Sequence, residues 1–121
     1  MPSRFRSTQL PGPNRMLVLF DHSTPSPLAA CLIGHTVVEA RSRGWDRLSN
    51  GQLLDEAERA GFEILLTADK NMRYQQNLRG RKIAPVVLST PRWPVARLHI
   101  DRITAAIDTV TPGSYTEVDL S

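Results

Sequence analysis

Apolar residues occur along this chain in short blocks, and two of the blocks run into an aspartate. Residues 16 to 20 (MLVLF) lead into Asp21, and residues 62 to 67 (FEILLT) lead through Ala68 into Asp69. Near-continuous apolar runs of this length fit strands covered on both faces of a parallel sheet, where in–out alternation is lost. TVVEA at 36 to 40 and IAPVVLS at 83 to 89 have the same character. The segments between them carry helix punctuation. In STPSPLAACLIGH, Thr24 or Ser26 can cap a helix, Pro25 or Pro27 fits its first turn, and Gly34 can end it. In LSNGQLLDEAERAG, Ser49 and Gln52 stand in the capping-box relation, Leu53, Leu54, Ala57 and Ala60 line one face, and Gly61 is the stop. Asn71 can cap a short third helix through Leu78, ended by Gly80. Pro94 opens a last helix with an apolar stripe of Val95, Leu98, Ile103, Ala106, Ile107 and Val110.

Strands and helices that alternate with short links predict a three-layer α/β/α domain around an open, mainly parallel sheet of about four strands. The domain is expected over residues 15 to 110. Residues 1 to 14 (MPSRFRSTQLPGPN) lack periodicity and read as a flexible arm. Residues 111 to 121 read as a tail in which SYTEVDL can add an edge strand. In folds of this kind the site lies outside the carboxyl ends of the strands, where strand order reverses. Asp21 and Asp69 end two buried strands, so they are expected to meet there.

Size and charge narrow the reading. A chain of 121 residues is one domain, and 40% hydrophobic with 22% charged residues is ordinary for a globular protein. No apolar run approaches the roughly 18 residues that would cross a bilayer. Cys31 is the single cysteine, which leaves no internal disulfide and fits a reducing cytoplasm. The net charge is +3, and Lys70, Arg73, Arg79, Arg81 and Lys82 follow Asp69 within one short stretch. That stretch is either a solvated surface or a phosphate-tracking patch bordering the same cleft. Arg41, Arg43 and Arg47 form a second cluster with the same two readings.

Carboxylates held together repel unless a cation joins them, and oxygen ligands of this kind suit Mg²⁺ or Mn²⁺. The order of motifs then carries a resemblance. Asp21, Gly34–His35, Gly44–Trp45, Asn50–Gly51–Gln52–Leu53–Leu54, Thr67, Asp69, Asn71 and Gln75–Gln76–Asn77 together resemble the small PIN-like proteins of the PIN nuclease superfamily. The likeness covers roughly residues 16 to 110. It implies a PIN-like fold and a metal-dependent ribonuclease, the toxin of a toxin–antitoxin pair, located in the cytoplasm. RNA and a cognate antitoxin are then the expected partners, with a homodimer also compatible. Mg²⁺ or Mn²⁺ would be held by Asp21, Asp69 and Asn71, with Gln52 completing the shell and His22 beside Asp21 as a proton acceptor.

The departures from that pattern matter equally. His22 stands where these relatives commonly carry a glutamate, and Gln52 stands where they commonly have the acid of an NGE motif. An amide oxygen brings no charge, so the alternative is a degenerate PIN-like module that binds RNA or a protein partner without cleavage. On the nuclease reading, Gln52→Glu should raise metal affinity and Asp69→Asn should abolish it. Several bland roles remain open: Asn71 as a helix cap, Gln52 as a capping-box residue, and His35, His99 and Trp45 as structural groups. A response-regulator receiver, with Ser89 after the fourth strand, is a further α/β reading, but it requires a fifth strand ending in lysine.

Overall fold

The computed structural model describes residues 15 to 72, 78 and 80 to 121. Five strands form one sheet: β1 (Leu17–Phe20), β2 (Thr36–Glu39), β3 (Ile64–Thr67), β4 (Ala84–Leu88) and β5 (Thr116–Val118). Their order is β2-β1-β3-β4-β5, and every neighbouring pair is parallel. The expected four strands are all present. The fifth lies in the segment read as a tail, where Thr116, Glu117 and Val118 pair with Val86, Val87 and Leu88. Strand order reverses between β1 and β3, as the site argument requires.

Both faces of the sheet are covered, which is why its strands read as continuous apolar runs. Val18, Phe20, Ile64, Leu66, Val86 and Leu88 point to one side and pack with Leu28, Leu32, Ala96, Ile103 and Ile107. Leu19, Leu65 and Val87 point to the other side and meet Leu53, Leu54, Ala57, Phe62 and Met72. The period-2 alternation of the strands is thus intact in space but invisible in hydropathy.

Helix α1 (Asn50–Arg59) has the predicted start and stop. Ser49 Oγ accepts from the Gln52 backbone N–H, and Gln52 Oε1 accepts from the Ser49 N–H at 3.1 Å. At the other end Gly61 has φ of +91°, and the Phe62 N–H closes back on Ala57 O at 2.9 Å. Helix α1 leaves the carboxyl edge of the sheet after β2 and delivers the chain to the amino end of β3. Its first turn therefore sits at the carboxyl edge of the strands and its last turn at the amino edge.

Two helix expectations are corrected. The segment after β1 forms a six-residue 3₁₀ helix, Ser26–Cys31, rather than an α-helix. Pro27 has no N–H to give, and the tighter turn still buries Leu28. The last helix is broken into α2 (Trp93–Ala96), a 3₁₀ turn at Arg97–His99, and α3 (Ile100–Asp108). That turn changes the angular step, so Leu98 leaves the apolar stripe and is 68% exposed. The expected helix from Asn71 to Leu78 lies largely outside the described residues.

Gly113 fixes the entry to β5. Its φ is +75°, and a Cβ there would lie 2.4 Å from the carbonyl oxygen of Arg81. Only glycine fits such a backbone approach. Among the described residues no helix is long and apolar enough to cross a membrane.

Leu65 is fully buried in β3, between β1 and β4. Leu65→Ala should lower unfolding free energy by roughly 2–5 kcal/mol, read from the urea midpoint at constant slope. A loss well under 1 kcal/mol would show that the α1 face of the sheet is not packed as described.

Candidate functional site

The register of β1 and β3 brings the two strand ends together. Phe20 lies opposite Leu66, and one step further the Asp21 N–H donates to Leu66 O at 3.2 Å. Asp21 is 5% exposed, so its carboxylate must find donors inside the protein. Oδ1 accepts from the Ser23 N–H at 3.0 Å and from the Ser23 hydroxyl at 2.7 Å. Thr24 Oγ1 lies 3.0 Å from the same oxygen and 2.6 Å from Leu66 O, and its single proton serves one of them at a time. Oδ2 accepts from the hydroxyl of Thr67, the last residue of β3.

Thr67 is the link between the two acids. Its hydroxyl donates to Asp21 and accepts from the Asp69 N–H at 3.0 Å. Ser23 adds a second tie, accepting from the Ala68 N–H at 2.9 Å. Asp69 itself is half-buried. Its Oδ1 accepts from the Asn71 N–H at 2.9 Å, and its backbone oxygen accepts from the Met72 N–H at 3.2 Å. Asp69, not Asn71, is thus the residue that caps the turn. Oδ2 accepts from Asn50 Nδ2 at 3.2 Å, so the first residue of α1 reaches the site.

The other expected site residues are placed differently. Gln52 is exposed and its side-chain oxygen is held in the capping box. His22 is exposed at the rim of a small hollow of about 180 Å³ that Asp21, Glu39 and Asp46 also line. Asn71 is exposed, and its backbone rather than its side chain meets Asp69. Position 50, which the sequence reading treated only as part of a motif, is the α1 position that faces Asp69. Ser23 and Thr24 were also missed, although two hydroxyls directly after a strand-ending aspartate are a usable signal for local side-chain bonding.

The basic stretch does not border one cleft. Lys70 is exposed beside Asp69. Arg81 lies at the opposite edge of the sheet, with Nη2 2.7 Å from Asp55 and Nη1 3.2 Å from Glu58 at the end of α1. The Lys82 N–H also bonds Glu58, two residues before β4. The reason is topological: a chain leaving β3 must cross the whole sheet to begin a parallel β4, so cations late in the crossover arrive at the amino edge. Arg73, Arg79 and the Gln75–Gln76–Asn77 run lie outside the described residues.

In the second cluster, Arg43 sits 5.4 Å from the ring centroids of both Trp45 and Phe62, which themselves meet edge to face. Arg41 pairs with Glu39. Trp45 is therefore a packing residue. His35 is structural as well: its Nδ1 accepts from the Met16 N–H at 2.9 Å and its Nε2 faces Asp108 at 3.5 Å. The receiver reading gains the fifth strand but not its lysine. Asp119 and Leu120 follow β5, and Ser89 Oγ accepts from the Leu120 N–H. Ser121 hydrogen bonds, first through its side chain, hold the exposed Asp119 carboxyl below its ordinary range.

A divalent ion fits this donor set poorly. Among the described residues no three His, Cys, Asp or Glu side chains converge as a metal site requires. All four oxygens of Asp21 and Asp69 already face hydroxyl, amide or backbone donors. An ion would have to displace such donors while gaining only two negative charges. Comparison with protein-family models, with curated proteins and with solved structures returns no match to this chain.

Thr67 offers a direct check on the network. Thr67→Val keeps the shape but removes the donor to Asp21 and the acceptor of the Asp69 N–H, and should destabilise the fold by roughly 1–3 kcal/mol. Thr67→Ser, which keeps the hydroxyl, should lose clearly less in the same urea titration. A loss in Thr67→Ser with little or none in Thr67→Val would show that the methyl group, not the hydroxyl, matters.

Proposed function

We propose that the chain is a PIN-like module that binds RNA at the carboxyl edge of its sheet without cutting it. The observation that carries this reading is the saturation of Asp21 and Asp69 by neutral donors, with an amide at the α1 position that faces Asp69. The parallel α/β sheet and the placement of both acids where strand order reverses are in keeping with the PIN-like resemblance. The net charge of +3 favours a polyanion, and Lys70 stands beside Asp69 on the exposed rim.

A second reading is a Mg²⁺- or Mn²⁺-dependent ribonuclease of PIN type, the toxin of a toxin–antitoxin pair. One feature favours it: the Thr67 hydroxyl bonds the Asp21 carboxylate and the Asp69 backbone N–H, so the two acid-bearing strand ends are tied together where strand order reverses. A metal there would supply an activated water and offset phosphate charge. The chain's own part would be to hold Asp21 and Asp69 in place.

The two readings separate on a mixed RNA substrate incubated with purified protein in Mn²⁺ and in EDTA. Retarded but intact RNA in both conditions is the expected result. Mn²⁺-dependent cutting that Asp69→Asn removes would establish the nuclease instead. On the binding side, Lys70→Ala should reduce the salt dependence of RNA affinity by roughly one unit of log–log slope. Lys82→Ala, at the amino edge, should leave it unchanged. Equal effects from both would mean that RNA does not select the carboxyl edge.

A further inference from the structure

We infer that Asn50 takes the place of a cation at the acidic pair and keeps the site closed to divalent metal. The inference rests on the non-cleaving reading above and gives it a residue. Asn50 is the first residue of α1, held there by the Ser49 cap, and its Nδ2 lies 3.2 Å from Asp69 Oδ2. The orientation of the amide follows from chemistry: turned over, it would set its oxygen against a carboxylate oxygen. An N–H facing Asp69 stabilises the charge as a partial positive end would, without the need to strip water from an ion.

The same geometry separates positions 50 and 52. Two residues apart on an α-helix are about 200° apart around its axis, so both cannot face one site. Gln52 is the exposed member of the pair, and its Oε1 is engaged with the Ser49 N–H. A glutamate there would serve the capping box equally well and would stay outside the acid pair. A carboxylate at position 50 would instead oppose Asp69 Oδ2 directly and turn a donor into a second acid. The amide is therefore the residue on which metal binding turns.

Thermal melts of the full chain in EDTA and in about 1 mM Mn²⁺ test this. Wild type and Gln52→Glu should melt alike in both. Asn50→Asp should melt lower than wild type in EDTA, because a donor has become a like charge, and should gain roughly 5–10 °C in Mn²⁺. A gain of that size in wild type, or in Gln52→Glu but not Asn50→Asp, overturns the inference. Should Asn50→Asp not fold, calorimetric titration of wild type with Mn²⁺ decides. No saturable heat up to about 1 mM supports the closed site, and saturable binding in that range overturns it. The functional reading fails separately: loss of RNA binding in EDTA would sink it and leave the melts as they are.

Discussion

A carboxylate buried at the end of an interior strand must be solvated by the protein, and at Asp21 the donors are hydroxyls and backbone N–H groups rather than a cation. That choice organises the carboxyl edge of the sheet. The Thr67 hydroxyl ties the end of β3 to the end of β1, and Ser23 ties the turn after β1 back to Ala68. Asp69 then follows directly on two anchored residues, Thr67 and Ala68, and Asn50 and the Asn71 N–H complete it. Burial strengthens the Thr67–Asp21 bond and makes an unfilled partner of Asp21 expensive. Among the described residues, all four carboxylate oxygens of Asp21 and Asp69 therefore face protein donors.

Much of the fold was legible in sequence because its signals are local. A block such as MLVLF is apolar on both faces and short, and a sheet covered by Leu28 and Ile103 on one side and Leu54 on the other is what such blocks require. Helix α1 was legible because Ser49, Gln52 and Gly61 fix its ends by side-chain and backbone chemistry within a few residues. The 3₁₀ form of Ser26–Cys31 was not legible. Prolines at the start of a helix say where it begins but not how tightly it winds. Strand β5 was legible as the edge strand that SYTEVDL can add, although at three residues it is held mainly by its neighbour β4.

The site was half legible. Two aspartates at strand ends could be paired from topology alone, because β1 and β3 are adjacent in any sheet that reverses there. Position 50 could not be told from position 52 by motif, since a linear pattern carries no angular information. The cations after Asp69 were misleading for a related reason: closeness along the chain means little across a crossover that spans the sheet. Arg81 ends beside Asp55 and Glu58, far from the acid it follows by only twelve positions.

The tie between Thr67 and Asp21 also bears on how the chain reaches this state. The two residues are 46 positions apart in sequence, with β2 and α1 lying between them. Closing a segment of that length carries an entropic penalty that local contacts such as the α1 capping box do not face. The expected order of events is therefore that α1 and its neighbours take shape early and that the β1–β3 register locks late. Until then the Asp21 carboxylate stays in water and opposes burial. The acidic site thus forms only once β1 and β3 have paired, and it acts as a check on register: a one-residue slip of β1 against β3 would bury the charge without its hydroxyl.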